Sequence, residues 1–243
     1  MSVMTDRRTG TTPGPGPRHD VRLRLLGGFE LTVDGRPKDV PPAAARLVAY
    51  LGLQARPLVR SHVAGVLWGD RSEDRAGACL RSAIWRANAG TPVIASSRTR
   101  VGLTDAAVDA RDAAGAAHDQ LVGGSPVAPD ELSGELLPGW YDDWVVVERE
   151  RLRQLCVEGL EQMAQRLLDG GMWSRAIEAA VAVVSAEPLR EVAHRVLIDA
   201  HTGAGNRGAA LRQFETCRVL LAGELGLAPG AAVVAAVERA RQG

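Results

Sequence analysis

The chain has 243 residues, 46% of them hydrophobic, and its 29 Lys and Arg balance 29 Asp and Glu to a formal net charge of zero. That length suits two ordinary domains or one large one, and no apolar run approaches the ~20 residues of a membrane span, so no membrane partner is expected. The charge is unevenly placed: residues 1–104 hold 16 Arg or Lys against 8 Asp or Glu, whereas residues 105–243 hold 13 against 21. A basic half joined to an acidic half points to a polyanion-binding module and a module with another job.

Residues 1–20, MSVMTDRRTGTTPGPGPRHD, have no long apolar stretch and read as a disordered leader, not a signal peptide. Cys79, Cys156 and Cys217 are odd in number and far apart, which with that leader predicts a reducing cytoplasm. From Val21 to Val33 apolar residues alternate with polar ones, broken at Gly27-Gly28, and Asp34-Gly35 signals a tight turn. Two or three short strands are expected there. Pro42 opens a helix to about Gln54, with Leu47, Val48 and Leu51 inward. Leu58-Val59 is a short strand at most. Ser61 is expected to cap a second helix, Ser61–Trp68, burying Val63, Val66 and Leu67.

Ser72–Gly90, SEDRAGACLRSAIWRANAG, organises the whole chain. At helical pitch Ala76, Leu80, Ala83, Ile84 and Ala87 share one face, while Ala78, Arg81, Ser82 and Trp85 share the other with Arg75 and Arg86 beside them. Taken alone this is equally a surface helix with a solvated arginine face. Val93-Ile94 and Val101–Leu103 then flank Ser96–Arg100, which predicts a hairpin with a basic tip at Arg98 and Arg100. Strands, three helices and a hairpin are the order of a winged helix, in which the third helix enters the major groove and the hairpin reaches the adjacent backbone or minor groove. On that reading Arg81, Ser82 and Trp85 contact bases. Arg75, Arg86, Arg98 and Arg100 meet phosphate or form the wing, and Ser61 with nearby helix amides holds another phosphate.

Beyond residue 104 an all-α region is expected: a linking helix over 109–122, a Gly/Pro-rich loop over 123–139, then a long helix over 142–169 with Val145, Leu152, Leu155, Gly159, Met163 and Leu167 in one stripe. Trp140, Tyr141 and Trp144 cluster at its start and read as a packed corner between domains. Gly171, Ala176 and Ile177 recur as Gly205, Ala210 and Leu211, and Leu155 and Gly159 recur as Leu189 and Ala193, all displaced by 34 residues. That is the tetratricopeptide period. Helices are expected near 155–169, 173–186, 189–203, 207–224 and 230–241. The fold class is therefore mainly α with small β sheets, divided into a winged helix over 21–104 and a tetratricopeptide-like domain over 105–243.

Catalytic and cofactor signals are missing from the sequence. With Lys38 the only lysine there is no GxxxxGK[ST] loop, no GxGxxG or GxSxG occurs, and His19, His62, His118, His194 and His201 have no metal-ligand spacing with the cysteines. No enzyme, cofactor or metal is expected.

Several segments resemble the Streptomyces antibiotic regulatory protein (SARP) family. They are Leu23–Gly27 (LRLLG), Val66–Asp70 (VLWGD), Leu80–Arg86 (LRSAIWR), Leu136–Val145 (LLPGWYDDWV), Glu148–Leu152 (ERERL), Glu187–Glu191 (EPLRE) and Glu224–Leu227 (ELGL). The resemblance covers about residues 21–230. It implies an OmpR-like winged helix joined to a bacterial transcriptional activation domain, and an activator of secondary-metabolite genes. Such an activator binds promoter direct repeats as two copies on one DNA face and recruits RNA polymerase through its sigma and other subunits. Two places depart from the family's pattern: Gly77 stands where Arg often follows the position of Ala76, and Ala87-Asn88 replaces a closing Leu-Arg. The other reading is a protein-interaction adaptor with a degenerate winged helix, which the +8 first half argues against.

Overall fold

A computed structural model of the chain describes residues 19–242, so residues 1–18 of the expected leader lie outside the described residues. Strands β1 (Val21–Arg24), β2 (Glu30–Val33) and β3 (Arg36–Pro37) form a meander, with Val21 opposite Val33 and Leu23 opposite Leu31. The two-residue turn between β2 and β3 places both Asp34 (φ 51°) and Gly35 (φ 74°) in the left-handed region, as an Asp-Gly hairpin turn requires.

Helix α1 (Pro42–Gly52) is buried along nearly its whole length, from Ala44 to Gly52 with only Arg46 partly outside. A helix buried on all sides is the centre of its module. The sheet closes on it so tightly that a Cβ on Gly52 would stand 2.5 Å from Leu23 Cδ2. Next come β4 (Leu58–Val59), α2 (Arg60–Leu67), α3 (Glu73–Ala87), β5 (Ile94–Ser96) and β6 (Arg100–Leu103), with β4, β6 and β5 making a three-stranded antiparallel sheet. Ser61 does not cap α2. Val59 holds the cap position, because β4 pairs with β6 up to that residue and the helix begins directly from the strand. Ser61 lies exposed in the first turn, and Val66 points outward while Ala64 is buried in its place.

The boundary expected at residue 104 falls inside the first sheet. Strand β7 (Ala106–Val108) pairs in parallel with β1, Val21 beside Ala106 and Leu23 beside Val108, giving the strand order β3-β2-β1-β7. The edge of β1 left free by the meander needs a ladder partner, and the chain returns from the hairpin to supply it. Helix α4 (Asp109–Leu121) follows at once, and its first carboxylate accepts hydrogen bonds from the Leu25 and Leu26 amides at 2.8 and 3.0 Å.

The remaining helices are α5 (Asp143–Asp169), α6 (Trp173–Ala186), α7 (Glu191–Gly203), α8 (Arg207–Leu225) and α9 (Ala231–Gln242). They stack in succession, α4 on α5, α5 on α6, α6 on α7 and α7 on α8, with α9 against both α7 and α8. Gly159 brings α5 so close to α4 that a Cβ there would lie 2.9 Å from the Ala117 carbonyl oxygen. At the 34-residue displacement Gly171 and Gly205 share a left-handed conformation (φ 69° and 74°), and Ala176 and Ala210 are both wholly buried. The stripe on α5 is wider than one face: Cys156, Val157, Leu160, Ala164 and Leu168 are buried too, because α5 packs against α4 and α6 at once.

Trp140, Tyr141 and Trp144 do not form one cluster. Trp140 stacks on Phe29 (5.9 Å between centroids) and Trp144 meets Tyr50 of α1 edge-on (5.2 Å), whereas Tyr141 is 83% exposed. The two tryptophans thus clamp different elements of the first half. Arg46 pairs with Asp142, and a bridge between Leu26 and Leu136 ties the first sheet to the loop before α5. One hydrophobic core consequently runs from Val21 to Ala200, with a smaller cluster under α8 and α9.

Candidate nucleic-acid interface

Helix α3 lies on the body of the first half through Ala76, Leu80, Ala83 and Ala87, all buried. That face fixes the other. Arg75, Ala78, Arg81, Ser82, Trp85 and Arg86 are exposed, and Trp85 keeps 73% of its surface in solvent. An indole that exposed gains nothing from the core, so its place is not explained by packing. Glu73 and Asp74 occupy the first turn, where carboxylates suit the positive end of the helix dipole. The same charges disfavour phosphate on the helix N-terminal amides themselves, so any phosphate contact at that end falls to the Arg75 side chain. Ser72 holds the N-cap position without a side-chain cap bond.

Among the described residues, the side chains of Arg75, Arg81, Arg86 and Arg98 make no ion pair and no hydrogen bond. Most arginines of the second half that lie on α5, α7, α8 and α9 are handled otherwise. Arg149, Arg151, Arg153, Arg190, Arg195, Arg218 and Arg239 are each paired with a carboxylate. Among the described residues Arg36, Arg56, Arg212 and Arg241 are also without such partners, but they are scattered, whereas α3 alone carries three free guanidinium groups on one exposed face. Arg98 is at the hairpin tip. Arg100 is one step back, in β6, and its Nη1 donates to the Pro57 carbonyl at 2.8 Å. Arg60, at the start of α2, bonds Ser96 Oγ across the same small sheet, and its amide donates to the Thr99 carbonyl at 2.9 Å. The wing is thus braced from beneath while its tip stays open.

Two residues that carry this geometry escaped the sequence reading as site residues. Asn88, at the C-cap of α3, accepts from the Val93 and Ile94 amides (3.0 and 2.9 Å) and donates through Nδ2 to the Ile94 carbonyl (2.9 Å). It binds the end of the helix to the first strand of the wing. An Asn two residues before the left-handed Gly90 was the available signal. Lys38 reaches the same corner from the first sheet, and nothing local in the sequence marks it. Gly77 leaves open space on α3: a Cβ there would meet only Arg81 Nη1 at 3.5 Å, an ordinary contact.

The sequence profile described as bacterial transcriptional activator domain matches residues 99–241. The chain belongs to that family. It is a family of transcriptional regulators, not of enzymes, and with the winged helix in front this member is of the SARP type. The regulatory protein AfsR of Streptomyces coelicolor is 29% identical over 245 residues, a match covering 93% of this chain and 25% of that protein. The chain therefore spans about a quarter of the length of that curated relative. Among solved structures, Mycobacterium tuberculosis EmbR, determined in complex with a low-affinity phosphopeptide, superposes with a TM-score of 0.68 at 22% identity. That match covers 93% of this chain and 66% of the other, and supports the fold: mainly helical, with small sheets in the N-terminal part. Among the described residues of this regulator no group of His, Cys, Asp or Glu is placed to hold a metal ion, and no helix is long and apolar enough to cross a membrane.

Proposed function

We propose that the chain is a sequence-specific DNA-binding activator that places α3 in a major groove and the β5–β6 hairpin on the neighbouring backbone. The observation that supports this best is the set of unpaired arginines, Arg75, Arg81, Arg86 and Arg98, beside an indole left in solvent. Arg81 is the base-reading guanidinium, with Ser82 and Trp85 on the same face. Arg75, Arg86 and Arg98 meet phosphates, Arg100 braces the wing, and Ser61 with the α2 amides offers a further phosphate contact.

The finer reading follows from the SARP resemblance. The regulated genes are those of antibiotic or other secondary-metabolite biosynthesis, the operator is a direct repeat occupied by two self-associating copies, and the helical half recruits RNA polymerase through sigma and other subunits. In this division of labour the winged helix expected over 21–104, with β7 completing its first sheet, supplies DNA affinity, the tetratricopeptide-like helices that follow supply cooperativity and recruitment, and the protein acts on the nucleoid in the cytoplasm.

The test is a gel shift of the full chain on promoter fragments of the source genome, competed with scrambled duplex. Retention of a promoter containing a direct repeat, at concentrations that leave scrambled DNA free, is the expected result. Equal retention of both, or of neither, refutes sequence-specific binding and favours an interaction adaptor.

A further inference from the structure

Lys38 is the single lysine of a chain with 29 basic residues. It follows β3, held by its own amide, which donates to the Leu31 carbonyl at 2.8 Å. Its side chain crosses to the loop that leaves α3, where Nζ donates to the Ala89 and Thr91 carbonyls, both at 2.7 Å. The first of these carbonyls lies one residue past the C-cap Asn88, at the negative end of the helix dipole, where carbonyls lack intrahelical partners and a cation is favoured. A compact ammonium can serve two converging carbonyl oxygens, whereas the planar fork of an arginine sets its donors apart. The side chain is half-buried, and burial lowers the Lys38 pKa below the ordinary lysine value. With two donors directed inward, the group is spent on the protein and not on a ligand.

We infer that Lys38 is a positioning residue for DNA reading: it pins the C-terminal end of α3 to the first sheet, as Asn88 pins it to the wing, and so sets the depth and tilt of the helix in the groove. This rests on the DNA-binding reading above. A helix held at one end by its core face alone can still meet phosphates. It loses the fixed geometry that two-bonded guanidinium–base contacts demand.

The experiment first selects a duplex from a random-sequence pool with the full wild-type chain, then measures affinity for that duplex and for its scrambled counterpart across a salt series. Lys38→Met, which keeps the stem and removes the ammonium, is expected to lower the ratio of selected to scrambled affinity roughly tenfold, about the worth of one base-pair contact. The slope of affinity against salt should stay that of the wild type, and Lys38→Arg, which keeps the charge but not the geometry that serves both carbonyls, should restore only part of the ratio. Acetylation of amines on the folded wild-type chain probes the same point without a mutation. Lys38→Arg treated in parallel controls for the terminal amine. A slope shallower by about one unit means that Lys38 binds phosphate and overturns the inference. A lowered melting temperature with an unchanged ratio overturns it too, leaving Lys38 a stabilising residue only. Failure of the wild type to enrich any duplex overturns the DNA-binding reading itself and this inference with it.

Discussion

Replacing Asn88 with Ala removes three hydrogen bonds at once, those to the Val93 amide, the Ile94 amide and the Ile94 carbonyl. A hydrogen bond of this kind contributes about 0.5–1.5 kcal/mol net, so the sum lies at roughly 1.5–4.5 kcal/mol. Val93 and Ile94 are buried (0% and 3% exposed), so water replaces the lost carbonyl oxygen poorly and the upper part of that range is cut off only by local relaxation. About 2–3 kcal/mol is expected. For a chain of this size each kcal/mol moves the melting temperature by about 2–4 °C, hence a drop of roughly 5–10 °C. Thermal unfolding followed by circular dichroism measures it, and amide exchange at Val93 and Ile94 locates it. Asn88→Asp keeps the acceptor for both amides but sets an oxygen against the Ile94 carbonyl and a negative charge at the negative end of the helix dipole, so it too should melt below the wild type. If Asn88→Ala melts within one degree or so of the wild type, and those two amides exchange no faster, the side chain does not hold the wing to α3 and the bracing argument is wrong.

Arg81→Ala should cost about 1–3 kcal/mol on a selected duplex and shrink the ratio of specific to non-specific affinity, whereas Arg98→Ala should weaken all duplexes alike and reduce the salt slope by about one unit. The reverse pattern would make the hairpin the sequence reader. Ala210 is wholly buried in the cluster under α8 and α9, so Ala210→Leu should overpack it and cost about 1–3 kcal/mol, read as a lower melting temperature. Burial alone would raise the Glu187 pKa, but hydrogen bonds from Arg190 and Arg153 outweigh it and hold the carboxyl below the ordinary glutamate value. The stabilisation from this triad is then complete above the ordinary glutamate range and is lost as pH falls through the lowered value. Glu187→Gln should melt lower than the wild type near neutrality and converge with it in acid, and parallel curves down to acid pH would contradict the assignment.

Helical periodicity was sufficient for α3. The apolar positions at Ala76, Leu80, Ala83 and Ala87 dictate a buried face, and a buried face on a helix dictates which residues must look outward. The Asp-Gly turn and the 34-residue recurrence were legible for the same reason, since each depends on residues close in sequence or on a fixed period. Local pattern could not show that Val59 completes a ladder with Arg100, so Ser61 looked like a cap when the strand had already supplied the start of α2. Nor could it show that β7 returns to β1, because parallel pairing joins segments some 85 residues apart with no turn between them to announce it. Composition placed 16 basic residues in the first 104, but it could not tell which arginines are paired and which stay free. That division depends on which carboxylates the folded chain brings within reach. The same holds for Lys38 and Asn88, whose partners are carbonyls and amides supplied by another part of the fold. Backbone hydrogen-bonding groups are present at every residue and carry no sequence mark. Only the tertiary structure decides which side chain meets them.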